Sequence, residues 1–360
     1  MEMHPTLVIP MPQQMETYSY YFKYIMEGNL MKIGIFNTVR DGNTRFNESV
    51  KKYDGKLELC YFDAVSTIEN HKLLKGCEAI IYTPAGKTTD EFWKSLADTG
   101  IKYVLTPTAG YDHFDLAAMK KYGLKGANVP RYSPNAISET AVGFIFALLR
   151  KFREQIHRID KGNFTLHGLM GKEIRNQTIG IVGAGRIGLT TMKCLSGFNP
   201  QKILAYDPFQ NEEVKKFASY VTLNELYAQS DIIVFHCNAT KETYHMINDD
   251  SIKTMKDGVF LINVARGQLF DNDCILSGIK SGKLGGVAMD VIEGEAALKN
   301  ISQGVCPIPI LKELLTYENF IYTSHSAFYT DEADRNMSDI TMENAYSYMT
   351  TGACSNELVK

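Results

Sequence analysis

The stretch Thr178-Ile-Gly-Ile-Val-Gly-Ala-Gly-Arg-Ile-Gly188 decides the fold of this chain. Its first five residues are mostly apolar and predict a buried strand, and the apolar residues beyond Gly188 recur at helical spacing. In such a strand–turn–helix unit, Gly183 permits the tight turn, Gly185 lets a pyrophosphate approach the backbone, and Gly188 lets the helix pack closely on the strand. The start of the helix adds unpaired N–H groups for the phosphates. The stretch therefore predicts a dinucleotide site.

Asp207 supplies the second part of that site. It lies 19 residues beyond Gly188, at the end of the apolar run 202–206. An acidic residue at this point accepts hydrogen bonds from the hydroxyl groups of the adenosine ribose. No arginine follows it in Asp207-Pro-Phe-Gln-Asn211, and a carboxylate would repel a 2′-phosphate. The sequence therefore predicts NAD rather than NADP as the cofactor.

Short apolar segments alternate with helical patterns along the chain, which is typical of parallel sheets covered by helices. In the first part of the chain, strands are expected at 32–36, 57–62, 79–83 and 103–106, with helices at 90–99 and 115–122. In the second part, strands are expected at 178–182, 202–206, 231–236, 259–264, 286–290 and 320–323. The pattern predicts an α/β protein with two doubly wound domains, a Rossmann NAD-binding domain and a smaller, flavodoxin-like substrate (catalytic) domain.

The order of these segments also predicts the domain boundaries. A last helix is expected over 329–352, and if it packs back on the first domain the chain crosses between the domains twice. The substrate domain then comprises 31–129 plus 329–360, and the NAD-binding domain comprises 130–328. A cleft between two such domains is a common place for a ligand. Residues 1–30 are interpreted as an N-terminal extension without the pattern of a secretory signal.

A helix is expected over 135–152, where Ser133 is a suitable N-cap and Pro134 suits the first turn. This helix is apolar on most of its sides. A helix of that kind is buried, inside a domain or against another subunit. We expect both, and therefore a homodimer.

Composition excludes several classes of protein. The 38 basic and 41 acidic residues give a net charge of −3 and are mixed along the sequence, without the basic stripe of a nucleic-acid-binding protein. The seven cysteines are scattered and form no C-x-x-C pair, which predicts neither a disulfide framework nor a bound metal. No apolar run reaches the length of a membrane span. The sequence predicts a cytoplasmic protein with no membrane partner.

Three residues fit the transfer of hydride to a 2-oxo acid. Arg266, Glu295 and His325 each follow a predicted strand of the second domain, on the side where parallel sheets bind ligands. A histidine can give a proton to the carbonyl oxygen as the hydride reaches the carbon, and a neighbouring carboxylate would fix its tautomer. An arginine offers a permanent cation and forked donors to the substrate. No one of these signals is specific, but their joint placement is.

With these motifs the sequence resembles the D-2-hydroxyacid dehydrogenase family, in particular its D-lactate and D-2-hydroxyisocaproate branch. The resemblance covers nearly all of 31–355. Besides the glycine loop, it rests on four motifs, which are Asn128-Val-Pro-x-Tyr-Ser-Pro-Asn-Ala-Ile137, Ala265-Arg-Gly267, Asp290-Val-Ile-Glu-Gly-Glu295 and His325-Ser-Ala-Phe-Tyr-Thr330. It implies that His325 donates and accepts the proton, that Glu295 is its partner, and that Arg266 binds and polarises the substrate.

The resemblance implies further site residues. Arg186 and Ile187 would contact the pyrophosphate and Asp207 the ribose. The residues implied to line the rest of the cofactor site are Cys237, Asn238, Thr243, Val264, Ala265 and Asp290. The backbone amides of Ala109 and Gly110 would hold the substrate carboxylate, and Phe328 and the loop around Thr83 would shape the side-chain pocket.

The leading hypothesis is an NAD-dependent enzyme that interconverts a D-2-hydroxy acid and its 2-oxo acid, with D-lactate and pyruvate as the simplest pair. D-2-Hydroxyisocaproate and 2-hydroxyglutarate are the alternatives within the same class. A formate dehydrogenase is disfavoured because formate has no hydroxyl proton for His325 and Glu295 to manage. A hypothesis of a different class is a non-catalytic NAD-sensing scaffold, which would bind the cofactor without turnover.

Overall fold

The computed structural model describes residues 30–36, 42–82, 88–111, 113–298, 301 and 303–359. These residues form two compact units. Unit 1 runs up to Tyr132 and resumes at Asp334, and unit 2 is Ser133–Ala333. The chain therefore passes between the units twice, and both passages lie within five residues of the domain boundaries expected from the sequence. Residues 1–29 of the expected extension lie outside the described residues.

Unit 1 is built on a five-stranded parallel sheet. Its strands are β1 (Met31–Phe36), β2 (Leu57–Phe62), β3 (Ala79–Ile81), β4 (Tyr103–Leu105) and β5 (Lys125–Ala127). They lie in the order β2-β1-β3-β4-β5, and every neighbouring pair is parallel. This is the strand order of flavodoxin-like sheets, so the predicted class of this domain is confirmed.

Helices cover both faces of the unit 1 sheet. They are α1 (Gly42–Val50), α2 (Asp90–Asp98), α3 (Leu116–Lys121) and the C-terminal helix Asp331–Thr351, which begins in unit 2. Successive strand residues point to opposite faces. Ile33 of β1 accordingly packs in one core cluster with Tyr348 of the C-terminal helix. Ile80 of β3 packs in the opposite cluster with Trp93 of α2.

Unit 2 is built on a seven-stranded parallel sheet. Its strands are β6 (Thr178–Val182), β7 (Lys202–Tyr206), β8 (Ser219–Tyr220), β9 (Ile232–Phe235), β10 (Val259–Asn263), β11 (Leu284–Met289) and β12 (Phe320–Tyr322). The order is β12-β11-β10-β9-β6-β7-β8. Counted from β6, the central strands follow the Rossmann order, which confirms the predicted class. The order reverses between β6 and β9, the point where such sheets bind ligands.

Seven helices of unit 2 lie between its strands or precede them in the described part of the chain. They are α4 (Pro134–Leu149), α5 (Phe152–Asp160), α6 (Arg186–Ser196), α7 (Leu223–Gln229), α8 (Asp249–Thr254), α9 (Asn272–Ser281) and α10 (Pro309–Leu314). Short 3-10 helices occur in both units, at Lys51–Tyr53, Ile68–Leu74, Ile174–Asn176, Val214–Lys216, Gly267–Leu269 and Glu295–Leu298. Within the described ranges, no helix is both long enough and apolar enough to cross a membrane.

Helix α4 begins as predicted and ends earlier. The Ser133 hydroxyl accepts a hydrogen bond from Ala136 N at 3.3 Å, and Pro134 occupies the first turn. The expected end at residue 152 is wrong, because Lys151 takes a left-handed conformation with φ of 53° and a new helix starts at Phe152. Eight residues of α4 are buried, and several of them pack in one core cluster with β6 and β10. Burial inside unit 2 therefore accounts for much of the apolar character of this helix.

Unit 1 contains a buried histidine. His71 lies in the 3-10 helix Ile68–Leu74 and is 1% exposed. Its two ring nitrogens are hydrogen-bonded only to hydroxyl groups, Nδ1 to Ser95 Oγ at 2.9 Å and Nε2 to Ser66 Oγ at 3.2 Å. Burial lowers the pKa of His71 from 6.5 to about 4.

We expect unit 1 to lose stability as the pH falls below 6.5. There the unfolded chain binds a proton at His71 that the folded chain excludes, so the contribution of His71 is complete above pH 6.5 and is lost between pH 6.5 and about 4. The slope is at most about 1.4 kcal/mol per pH unit. Thermal unfolding of the wild type and of His71→Gln should be compared from pH 7.5 to 4.5. The variant should show the shallower decline, and parallel curves would contradict the assignment.

Candidate active site

The glycine-rich loop joins β6 to α6, and its three glycines lie in different environments. Gly183 has a φ of +94°, and a Cβ there would lie 2.5 Å from the backbone N of Cys237, so the turn tolerates no side chain. A Cβ on Gly188 would lie 2.1 Å from the carbonyl oxygen of Gly183, so α6 packs directly on the loop. A Cβ on Gly185 would meet nothing described within 4 Å. The open position is thus the middle glycine, at the start of the helix.

Arg266 lies in a tight turn that follows β10. The fully buried Asn263 holds this turn, because its Oδ1 accepts from Ala265 N at 3.0 Å and its Nδ2 donates to Arg266 O at 2.9 Å. Arg266 Nη1 donates to Ala265 O at 2.8 Å. A Cβ on Gly267 would lie 2.2 Å from the carbonyl carbon of Ile292. The turn therefore presses directly on the backbone segment that leads to Glu295.

Glu295 and His325 form a hydrogen-bonded pair. They follow neighbouring strands, β11 and β12, and His325 Nδ1 lies 2.7 Å from Glu295 Oε1. The other carboxylate oxygen, Oε2, accepts from Ile292 N at 3.2 Å. The two side chains are 46% and 30% exposed for His325 and Glu295, respectively, so a small substrate can reach the ring. Because a carboxylate only accepts, Nδ1 carries the hydrogen and Nε2 is the nitrogen left for a substrate.

The backbone around His325 is held by Asp290. His325 has a left-handed φ of 53°, and its N donates to Asp290 O at 2.7 Å. The Asp290 carboxylate is buried and accepts from Ser326 N at 2.8 Å, Ala327 N at 3.0 Å and the hydroxyl of Thr323. A carboxylate with three donors is satisfied without water. Asp290 therefore fixes the turn that presents His325.

A protein-family model matches the part of the chain that forms this site. The model of the NAD-binding domain of D-isomer specific 2-hydroxyacid dehydrogenases matches residues 142–327. The chain belongs to the D-isomer specific 2-hydroxyacid dehydrogenase family. It is therefore an NAD-dependent oxidoreductase.

Individual members of this dehydrogenase family are similar over most of the chain. An aromatic 2-oxoacid reductase of Clostridium sporogenes is 42% identical over 289 residues, which are 80% of this chain and 87% of the relative. The D-lactate dehydrogenase of Escherichia coli is 33% identical over 332 residues, which are 91% and 100% of the two chains. A solved D-2-hydroxyisocaproate dehydrogenase has a TM-score of 0.84 at 32% identity and covers 92% and 100%. The three names state different substrates, so family membership alone does not select one.

The cofactor of this dehydrogenase is NAD, and the residues of the glycine loop fit it. Gly185 leaves room beside the first turn of α6. It is also the N-cap residue of this helix and, without a side chain, forms no cap hydrogen bond to that turn. The first turn therefore offers backbone donors and a positive dipole end to a pyrophosphate. Asp207 is fixed beside the loop, since its Oδ2 accepts from Ala184 N and its Oδ1 from Phe209 N, both at 2.8 Å. Each oxygen keeps a further lone pair for a ribose hydroxyl.

The remaining residues predicted for the cofactor lie at the same edge of the unit 2 sheet. Arg186 is exposed in the first turn of α6, and Ile187 follows it. After β9, Thr243 Oγ1 donates to Asn238 O at 2.8 Å and so closes the loop that contains Asn238. Cys237 begins this loop, and burial raises the pKa of its thiol to about 11. Val264 and Ala265 are buried just after β10. Contacts of all these residues with NAD, and of Asp290, stay predictions from the sequence.

The residues predicted for the substrate are distributed between the two units. Phe328 lies near the acid–base pair in unit 2, with its ring centroid 6.2 Å from that of His325. Ala109 and Gly110 belong to unit 1, where Ala109 O accepts from Asn128 Nδ2 and Gly110 O from Thr108 Oγ1, both at 2.7 Å. Their amide role stays a prediction. The loop 83–87, expected to shape the pocket, lies outside the described residues.

Two buried polar residues have roles that sequence reasoning missed. Asn263 is not among the site residues predicted from the sequence, and Asp290 is predicted only as part of the cofactor site. Both are at most 1% exposed, and each holds, through hydrogen bonds, a turn that carries a candidate catalytic side chain. A usable signal is a polar residue at the end of an apolar strand, because a buried polar group must find partners nearby.

We expect Gly267→Ala to lower the rate of NADH oxidation by about 100-fold, the loss typical of a displacement of about 1 Å at a reacting group. The added methyl group would overlap the backbone of Ile292 and Glu293 and push Arg266 away from Glu295. Binding of NADH, measured by its fluorescence, should change little because the glycine loop is untouched.

Gly143→Ala is the matched control for this substitution. Gly143 lies in α4, and a Cβ there would meet nothing described within 4 Å. Alanine in a helix is favoured over glycine by about 1 kcal/mol, so this variant should be at least as stable as the wild type and equally active. Wild-type activity in Gly267→Ala would show that the close approach does not position Arg266.

Proposed function

We propose that this dehydrogenase reduces a 2-oxo acid to the corresponding D-2-hydroxy acid and catalyses the reverse oxidation. The observation that carries the proposal is the 2.7 Å hydrogen bond between His325 Nδ1 and Glu295 Oε1, beside the turn of Arg266. A half-exposed histidine with a carboxylate on one nitrogen can exchange a proton through the other.

Each of the three residues has a separate task in the proposed reaction. Bound NADH supplies the hydride. His325 donates a proton from Nε2 to the carbonyl oxygen of the 2-oxo acid and takes it back in the reverse direction. Glu295 holds the ring in the tautomer and orientation that leave Nε2 for the substrate. Arg266 offers two parallel donors to the carboxylate and carbonyl oxygens of the substrate, which orients the acid and draws charge toward the oxygen that accepts the proton.

Pyruvate and D-lactate are the substrate pair that we propose first, as the simplest pair for this site. A second candidate is an aromatic 2-oxo acid, favoured by the 42% identity to an aromatic 2-oxoacid reductase. Phe328 supports it further, because an aromatic ring near His325 can pack against a second ring. 2-Oxoisocaproate and 2-oxoglutarate complete the set of acids to compare.

We propose further that the protein is a homodimer and keep the expected cytoplasmic location as a prediction. The support is an apolar surface on unit 2, which we call the α5 surface. It consists of Phe152 and Ile156 on α5 and of Phe164, Leu166 and Met170 on the loop that follows, and these residues are between 47% and 89% exposed. Lys151 Nζ and Arg158 Nη1 hold that loop against α5, through Gly168 O at 2.5 Å and His167 O at 2.6 Å. Several large, exposed apolar side chains on one helix and the loop after it favour an interface between proteins.

Light scattering after size-exclusion chromatography tests the dimer. The wild type should have twice the mass of the chain, and Phe164→Asp combined with Leu166→Asp should have the mass of one chain, because two charges cannot be buried unpaired in an interface. Phe209→Asp is the control, since Phe209 is equally exposed at 85% but lies outside the α5 surface. A monomeric wild type would refute this part of the proposal.

The reaction itself is tested by NADH oxidation with pyruvate, phenylpyruvate, 2-oxoisocaproate and 2-oxoglutarate. His325→Ala should lower kcat by about 100- to 10,000-fold, the usual contribution of a positioned acid or base, while the Kd of NADH stays unchanged. Arg266→Ala should chiefly raise the KM of the 2-oxo acid.

The outcomes separate the hypotheses. A higher kcat/KM for phenylpyruvate than for pyruvate would replace the first substrate candidate with the second. Binding of NADH with negligible turnover of every acid would point to the scaffold. An unchanged rate in His325→Ala would show that another group moves the proton.

A further inference from the structure

His245 links three of the segments that form the site, its own and two others, although the mechanism does not use it. It lies in the segment after β9, and its Nε2 is 2.7 Å from Oε2 of Glu293, which lies after β11. Its backbone N donates to Gln268 O at 2.9 Å, in the segment after β10 that carries Arg266. His245 thus reaches across the Arg266 turn to the segment that carries Glu295.

The conformation of His245 indicates that this contact is enforced by its surroundings. Its φ is +46°, in the left-handed region that residues with a side chain rarely adopt. Such conformations persist where the surrounding structure determines them and are frequent at functional sites. Here the ring stacks on that of Tyr244 at a centroid distance of 3.9 Å, and Tyr244 Oη donates to Glu293 Oε1 at 3.3 Å.

The ring of His245 faces two carboxylates and a tyrosine. Glu293 faces Nε2, Asp271 Oδ2 lies 3.8 Å from Nδ1, and Tyr244 covers the face of the ring. Because a carboxylate only accepts, the Nε2–H group is the donor to Glu293. Both oxygens of Glu293 are therefore bound by the same pair of adjacent residues, Tyr244 and His245.

Glu293 belongs to the short segment that ends at Glu295, the hydrogen-bond partner of His325. Glu293 is two residues before Glu295, and Ile292 N donates to Glu295 Oε2. Gly267 presses on the backbone of Ile292 and Glu293 from one side. Movement of this short segment would move the carboxylate that holds His325.

We propose that His245 is a positioning residue for the acid–base pair. Through its hydrogen bond to Glu293 it clamps the segment Ile292–Glu295 between the segments that follow β9 and β10, and so keeps Glu295 in register with His325. The inference rests on the proposed function only in its kinetic consequence, since the clamp itself is a property of the protein without ligands.

The first test measures the clamp without any turnover. In His245→Ala, amide hydrogen exchange of the peptides that cover 290–298 should become faster, because one of the contacts on the segment is lost. In His245→Gln it should stay near the wild-type rate, since the glutamine amide can donate from about the position of Nε2. Unchanged exchange in His245→Ala would overturn the proposal.

The second test uses the full-length enzyme with NADH and the best 2-oxo acid of the panel. His245→Ala should lower kcat by about tenfold to 100-fold with little change in the KM of the acid, as expected for a displaced reacting group. His245→Gln should recover most of the rate. Glu293→Ala also removes the hydrogen bond from Tyr244, so it should lose at least as much rate as His245→Ala. The double variant should lose no more than Glu293→Ala, because the His245–Glu293 hydrogen bond is already absent there.

A matched control removes a side-chain pair of unit 2 that lies outside the clamp. Lys280 on α9 pairs with Glu313 on α10 at 2.5 Å, and both side chains are 47% exposed. Lys280→Ala should leave the exchange of 290–298 and kcat unchanged. Equal losses in His245→Ala and His245→Gln, or additive losses in the double variant, would overturn the clamp. A wild type without turnover would refute the proposed function, while the exchange measurement would still decide the clamp.

Discussion

The hydrogen-bond register of four parallel strands is the constraint on which the site depends. The register places one residue from each of β9, β10, β11 and β12 in a single row across the unit 2 sheet, and these residues are Phe235, Asn263, Met289 and Tyr322. Because the strands run in the same direction, the segments beyond this row all emerge at one edge of the sheet. The loop of Asn238 follows β9, Arg266 follows β10, Glu295 follows β11 and His325 follows β12. Groups far apart in sequence thereby become neighbours.

At this edge of the sheet, the residues that hold the turns are more deeply buried than the residues proposed to react. Asn263 and Asp290 are at most 1% exposed, and each has its polar atoms satisfied within the turn that it holds. Loss of one partner of such a buried group costs about 1–3 kcal/mol, so these turns have little freedom to rearrange. Glu295 and His325 are more accessible, which the proposed exchange of a proton with a substrate requires.

Elements with a strong local signal could be predicted from the sequence. The strands 178–182 and 202–206 end where apolar runs meet glycine or Asp207, and the structure has them residue for residue. By contrast, β5 (Lys125–Ala127) and β8 (Ser219–Tyr220) contain no run of large apolar residues, so the sequence carries no strand signal there. The end of α4 was also missed, because it depends on the left-handed conformation of Lys151, a residue type that does not signal a helix end.

The sequence by itself determined the class of both domains, the glycine loop with Asp207, and the choice of Arg266, Glu295 and His325, because spacing and residue type are local properties. Only the tertiary structure decided how these residues are held. Three contacts join segments that follow different strands. Gly267 packs against Ile292, Asp290 holds the turn of His325, and His245 is hydrogen-bonded to Glu293. Such contacts arise from sheet register and packing, and no pattern within a single segment encodes them.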